Sequence, residues 1–212
     1  MTHPLATKIV RLLFASAFCL TGLFRISQAQ EAHCDCSPNL LQFCRCGVLI
    51  EQDLAELQLV YLNRLLRAEF PTLLQQSPVN TVRVAPAHKM QLKGEATQGY
   101  FHNGEIVIND TLQRDQALMV LAHEIGHSWH FSTHKNPDAI SDFIAEGFAE
   151  WLSYRLMKRA GLTEFCYRLK NNPDPLYGKA FRWYLDIDKE YGKQAVVDIM
   201  RSWINKDGER VL

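Results

Sequence analysis

The sequence has no excess of charge of one sign: it contains 23 lysine and arginine residues against 23 aspartate and glutamate residues. Sequence-independent binding to nucleic acid needs a positive surface, because contacts with phosphates dominate that binding. We therefore expect no nucleic-acid partner. The sequence also has no internal repeat and no low-complexity tract, and its composition of 47% hydrophobic and 22% charged residues is ordinary for a globular domain. This composition argues against a disordered or fibrous chain.

The sequence also lacks a hydrophobic run that is long enough to span a bilayer comfortably. The apolar stretch at residues 12–24 follows two basic residues and precedes the small residues Ser27 and Ala29. This order is typical of a signal peptide, so we predict one at residues 1–29. It implies a secreted or periplasmic protein with no stable membrane span, and a membrane anchor is the alternative. Only basic charges are removed with it, which leaves a net charge of −3.

Cysteine is rare outside one short segment. Four of the six cysteines form two Cys-x-Cys pairs, which are Cys34, Cys36, Cys44 and Cys46, in a Cys-rich module that we place at residues 30–50. Two disulfides are the default in an oxidising compartment, and a four-thiolate zinc site is the alternative. Both interpretations stay open. We interpret Cys166 as a small buried hydrophobic residue.

Hydrophobic periodicity predicts the elements of the first half. Apolar residues between 51 and 70 recur every three or four positions and Pro71 follows, which indicates an amphipathic helix. Residues 81–84 alternate as in a strand. The pair Asn103-Gly104 lies between two apolar runs within residues 100–108, which is typical of a hairpin. We therefore predict a small antiparallel sheet.

The second half of the chain has a helical pattern. Predicted helices lie at residues 113–131, 139–160, 176–191 and 194–203. A loop rich in asparagine and proline separates the second helix from the third. We predict one α+β domain at residues 51–212, with a small sheet and a mainly helical carboxyl-terminal half.

The motif His-Glu-x-x-His at residues 123–127 carries the chemistry. Positions i and i+4 lie on one face of a helix, so His123 and His127 can bind one metal ion while Glu124 projects beside them. Zinc bound by two histidines needs a third protein ligand and leaves a fourth position for water, on which Glu124 would act as the general base. The motif predicts a zinc metallopeptidase, and we expect an endopeptidase rather than an exopeptidase.

The third ligand distinguishes the subclasses of such enzymes. A metzincin needs histidine at position 133, where this chain has Thr133. A gluzincin uses a glutamate from a second helix, and Glu146 follows His127 after 18 intervening residues. Glu150 lies one helical turn further and is predicted to orient a ligand imidazole. The alternative is that Glu146 and Glu150 are ordinary solvated acids. Apolar neighbours such as Phe148 favour the zincin-like, gluzincin interpretation, in which Glu146 is a ligand.

Two further histidines continue the same helical stripe. His130 and His134 could form a second metal site. The simpler interpretation is that they are partly exposed histidines near a helix carboxyl terminus, where positive charge is favourable, and we adopt it.

The run 123–152, together with residues 174–182 and 190–192, resembles the peptidase domain of the plant LIM-domain organ-size regulators and their shorter bacterial relatives. The similarity covers about residues 40–203, and its more specific parts are Glu-Gly at residues 146–147 and Tyr-Gly-x-x-Phe-Arg, which begins at Tyr177. The resemblance implies a zinc-dependent peptidase behind a Cys-rich zinc module. Here the module has Cys-x-Cys spacing where the family has Cys-x-x-Cys.

The same resemblance marks Tyr177 as a candidate catalytic residue. Peptide hydrolysis needs a donor to the oxyanion, and a phenol at the start of a helix near the zinc ion would supply it, with His102 as the second candidate. An aromatic residue in the helical core is the alternative. The predicted partner is a peptide or protein substrate that adds as a strand to the hairpin at residues 100–108. The alternative function is a zinc-binding adaptor or regulatory protein with an idle peptidase-like core.

Overall fold

The computed structural model describes residues 48–71, 79–92 and 95–202. The helices in these ranges are α1 (Gln52–Glu69), α2 (Arg114–Thr133), α3 (Asp142–Arg159), α4 (Thr163–Lys170) and α5 (Tyr177–Ser202). The strands are β1 (Thr81–Ala85), β2 (Gln91–Leu92), β3 (Glu95–Ala96), β4 (Gly99–His102) and β5 (Glu105–Asn109). The predicted α+β class, with helices in the second half, is confirmed. The predicted signal peptide and all four clustered cysteines lie outside the described residues.

The sheet differs from the predicted antiparallel one. The hairpin of β4 and β5 is antiparallel as expected, and its turn places Asn103 and Gly104 at positive φ values of 51° and 83°. However, β1 pairs with β5 in parallel, so the strand order is β1-β5-β4 and the sheet is mixed. The reason is that the chain leaves β1 and enters β4 two strand positions away, which leaves a gap of one strand between them. The hairpin then returns β5 into the gap, in the same direction as β1.

One of the two sheet edges is covered by a side chain of α1. Gln52 accepts a hydrogen bond from Val84 N at 2.9 Å and donates one to Val82 O at 2.8 Å. This side-chain amide imitates a neighbouring strand and satisfies the outer edge of β1. The other edge of the described three-stranded sheet belongs to β4, where Thr97 Oγ1 donates to Gly99 O at 2.9 Å.

Helix α2 lies at the centre of the molecule, between the sheet and α3. Every residue from 120 to 130 is buried, so this helix has no polar stripe toward solvent. Helix α3 approaches it very closely at Gly126, where an added Cβ would lie 2.7 Å from the Cα of Ala149. On its other side α3 packs on α5 through the buried rings of Phe148 and Tyr184. Because the helices cross so closely, side chains of α2 lie next to side chains of α3.

One helix differs from the sequence prediction, and one predicted helix boundary is confirmed. Helix α4 was not predicted, because its eight residues are too few to show a clear period. The predicted interruption at Gly192 is confirmed: this residue has non-helical angles (φ 82°, ψ 166°) and separates two helical segments within α5. Glycine reaches this conformation without the strain that a side chain would cause.

Glu69, the last residue of α1, connects three helices. It accepts hydrogen bonds from Arg155 Nε at 2.9 Å and from Arg159 at 3.2 Å, both in α3. Lys193 in α5 lies 3.5 Å from the same carboxylate. Burial alone would raise the pKa of Glu69, but hydrogen bonding to Arg155 and the charges of all three cations hold it below its ordinary value.

We expect Glu69→Gln to lower the free energy of unfolding at pH 7 by about 1–3 kcal/mol, because charged hydrogen bonds are lost in a mostly buried place. The folded pKa of Glu69 lies below the unfolded one, so this stabilisation is present above the unfolded pKa and is lost as the pH falls through the folded pKa. Urea unfolding should therefore show a difference between wild type and variant that shrinks with acidification. Glu164→Gln, in an exposed pair with Arg168, is the control and should change the midpoint little.

Candidate metal centre

Three ligand side chains converge between α2 and α3. His123 and His127 lie one turn apart on α2, with their Nε2 atoms 2.9 Å apart. Glu146 of α3 places Oε2 3.2 Å from His123 Nε2 and 3.4 Å from His127 Nε2. All three side chains are buried. Among the described residues this is the one group of three or more histidine, cysteine or acidic side chains that is close enough to share an ion.

These distances fit a zinc ion. Bonds of 2.0–2.1 Å in a tetrahedral site separate neighbouring ligand atoms by about 3.3 Å, and the three observed separations range from 2.9 to 3.4 Å. Glu146 Oε2 is buried, and among the described residues its polar neighbours are the two imidazoles, so it is available as a ligand beside them. Two imidazoles and one carboxylate are also the donor set of known catalytic zinc sites. The residues therefore form a possible metal-binding triad.

The histidines are held in the form that binds metals. Burial lowers the pKa of His127 to about 3. Burial also lowers the pKa of His123, and the neighbouring His127 adds to this effect while Glu146 opposes it. Both imidazoles are therefore neutral near pH 7 and keep a lone pair for an ion.

Glu124 lies beside this triad and is completely buried. Burial and the nearby carboxylate of Glu146 raise its pKa well above the ordinary value, while the backbone of Phe101 acts in the opposite direction. Strand β4 passes directly over it: a Cβ added to Gly99 would lie 3.4 Å from Glu124 Oε1 and 2.5 Å from a methyl group of Val120. Glycine at position 99 therefore lets the sheet edge approach the carboxylate.

Glu150 lies behind His123. Its Oε1 is 3.6 Å from His123 Nδ1, which is longer than a good hydrogen bond but places the carboxylate opposite the ring nitrogen that faces away from the triad. Burial, with contributions from Glu146 and Asp174, raises the pKa of Glu150 to about 8. The predicted orienting residue is thus near the predicted ligand.

The candidate oxyanion donors occupy different places. Tyr177 is the first residue of α5 and is buried, with its ring centroid 6.5 Å from that of His123. His102 lies at the end of β4, paired with Glu105 next to the hairpin turn. The geometry thus brings Tyr177 beside the triad.

His130 and His134 are not the partly exposed residues that we expected. Both are buried. His134 has Nδ1 2.8 Å from the carbonyl oxygen of His130 and Nε2 2.8 Å from that of Met200. This imidazole closes the end of α2 against α5, which is a structural use. The sequence pattern does not indicate this contact, because Met200 is 66 residues away along the chain.

Two further residues near the centre were not recognised in the sequence. Asp174 hydrogen-bonds to the start of α5, and its position three residues before Tyr177 is a helix-start pattern that was readable. Gly99 lies against Glu124, but a glycine within a strand pattern does not reveal what approaches it.

The fold and the triad together define a zincin-like domain that is related to metallopeptidases. In agreement, residues 80–171 match the peptidase family M78, described as the IrrE N-terminal-like domain. The matched segment contains the triad, Glu124 and Glu150, and ends before Asp174. It covers less than half of the chain and indicates a peptidase-like or regulatory function.

The match agrees with the predicted resemblance to a metallopeptidase domain. It gives no evidence of similarity to LIM-domain proteins. No curated protein and no solved structure matches the chain significantly. Within the described ranges no helix has the length and apolar character that crossing a membrane requires.

Proposed function

We propose that the chain is a zinc metallopeptidase of the gluzincin type, with His123, His127 and Glu146 as the zinc ligands. The observation that carries the proposal is the buried convergence of two neutral imidazoles and one carboxylate beside Glu124. A bound zinc ion supplies Lewis-acid chemistry, which activates water and polarises the peptide carbonyl.

Glu124 is the general base in this proposal. Its carboxylate takes the proton of the attacking water and then delivers it to the leaving amine. Burial excludes bulk water from Glu124 and raises its pKa. A cation held by the triad would favour the ionised carboxylate, which is the form that accepts the proton. Glu150 supports this arrangement by orienting the His123 ring. The phenol of Tyr177 donates a hydrogen bond to the oxyanion.

The substrate in this proposal is an extended peptide that adds to the β4 edge. Gln52 already occupies the hydrogen-bonding groups of the β1 edge. Asn109 N donates to Gln98 O, so by the alternation of an antiparallel ladder Tyr100 also faces β5, while the backbone groups of Gly99 and Phe101 point away from β5. Thr97 Oγ1 donates to Gly99 O at 2.9 Å, and this carbonyl oxygen has a second lone pair for a substrate N–H. Gly99 is the residue that lies against Glu124. A peptide paired there would pass along the general base.

Two further parts of the proposal, export of the protein and the Cys-rich module, are supported by the amino-acid sequence alone. Residues 1–29 carry the signal-peptide pattern, and residues 30–50 carry the two Cys-x-Cys pairs. We propose a secreted or periplasmic enzyme whose module holds two disulfides or one further zinc ion.

The proposal is tested by measuring zinc and hydrolysis on the same sample of the chain without its predicted signal peptide. We expect about one zinc per chain, or about two if the Cys-rich module also binds zinc. A library of internally quenched peptides should be cleaved, and a chelator should stop the cleavage until zinc is restored. Zinc binding without cleavage of any peptide would instead support the adaptor alternative. Absence of zinc would refute both.

A further inference from the structure

Helix α5 begins next to the metal centre, and one side chain holds its first turn. Asp174 Oδ1 accepts hydrogen bonds from the backbone N–H groups of Leu176 and Tyr177, each at 2.7 Å. Helix starts leave such N–H groups without partners, and an aspartate before the helix satisfies them. The residue that it holds, Tyr177, is the one whose ring lies 6.5 Å from that of His123.

The loop before α5 is itself fixed on the helix. Asn172 Oδ1 accepts a hydrogen bond from Asp174 N at 3.0 Å, and Arg182 donates to the carbonyl oxygen of Asn172 at 2.6 Å. The backbones are in direct contact, since a Cβ on Gly178 would lie 2.0 Å from that carbonyl oxygen. These contacts fix the loop that carries Asp174, and the two hydrogen bonds of Asp174 define where α5 starts.

Asp174 also lies near the buried carboxylate of Glu150, since its charge helps to raise the pKa of that group. Glu150 Oε1 is 3.6 Å from His123 Nδ1. One loop residue thus contacts the helix that carries Tyr177 and lies near the carboxylate behind a predicted zinc ligand.

We propose that Asp174 is a positioning residue: its hydrogen bonds to the first turn of α5 set the Tyr177 phenol against the metal centre. The inference rests on the proposed function, in which Tyr177 donates to the oxyanion. Asp174 itself touches neither substrate nor metal. Its removal therefore acts through Tyr177, whereas the triad and Glu124 remain in place.

The first test compares hydrolysis of one quenched peptide by five variants. We expect Asp174→Ala to lower kcat by about 10-fold or more with little change in KM or zinc content, because the oxyanion donor is displaced. Asp174→Asn keeps an acceptor oxygen and should retain most of the activity. In a Tyr177→Phe background, Asp174→Ala should cause little further loss, because both changes remove the same contribution. Asn171→Ala, which affects only the end of α4, is the matched control.

The second test does not depend on activity. Amide hydrogen exchange of a peptide that covers the start of α5 should be faster in Asp174→Ala than in wild type, and Asp174→Asn should protect it again. Unchanged exchange, unchanged kcat in Asp174→Ala, or an equal loss with and without Tyr177 would each overturn the proposal. Zinc binding without peptide cleavage by wild type would refute the proposed function, whereas the exchange result would still decide whether Asp174 holds the helix start.

Discussion

Glu124→Gln is expected to retain zinc and to lose peptide hydrolysis, with kcat lowered roughly 10²–10⁴-fold. The amide has nearly the shape of the carboxylate but cannot accept the proton of the attacking water. Glu124 lies beside the triad and is not one of its members, so the ion should remain bound. Zinc content and kcat should be measured on the same preparation, since the proposal requires that they separate.

The fold should survive this substitution. Glu124 is completely buried and its pKa is raised well above the ordinary value, so a neutral side chain fits its surroundings at least as well as the carboxylate. Thermal unfolding of wild type and variant should therefore be similar. Glu164→Gln makes the same chemical change on exposed α4 and should leave kcat unaltered. Turnover by Glu124→Gln at the wild-type rate would mean that another group is the base.

The possible metal-binding triad was largely predictable because its residues follow local rules. A spacing of four places His123 and His127 on one helical face wherever the helix lies in the fold. Glu146 required one more assumption, that the chain reverses and a second helix returns over the first. The structure contains this reversal, made possible by the small residues Gly126 and Ala149 at the crossing.

The sheet was less predictable because its pairing is not local. The Asn103-Gly104 turn joins neighbouring strands, and the antiparallel hairpin follows from it. The parallel pairing of β1 with β5 joins segments that are more than twenty residues apart. No pattern within either strand specifies that partner, since a strand can pair in both directions. The Gln52 cover of the β1 edge was hidden for the same reason.

Helix α1 shows the limit of periodicity in another way. Its spacing predicted a helix with the correct end, but Leu57, one of the apolar residues of that pattern, is 47% exposed. Leu62 and Leu66 of the same pattern are buried, and Leu59 and the polar Asn63 complete the buried face. Asn63 is buried because its side chain donates to Val79 O at 3.0 Å. A hydrogen bond to a distant carbonyl makes a polar residue part of the core, and hydrophobicity alone cannot indicate it.

Glu146→Ala is expected to have the other large effect, which is loss of the metal. Removal of a partner behind a zinc ligand commonly weakens zinc binding 10–100-fold. Glu150→Ala should fall in this range, whereas loss of a direct ligand in Glu146→Ala should weaken binding by more than about 100-fold. Zinc affinity of the two variants, measured by competition with a chelating dye, should show this order.

Thermal unfolding with and without zinc separates loss of the site from loss of the fold. A ligand at 100 times its dissociation constant stabilises the folded state by about 2.7 kcal/mol, so zinc should raise the Tm of wild type clearly. Without zinc, Glu146→Ala should be as stable as wild type or more stable, because it removes a buried carboxylate whose pKa is raised by burial. Added zinc should then raise its Tm little. A zinc-dependent rise equal to that of wild type would show that Glu146 is not the third ligand.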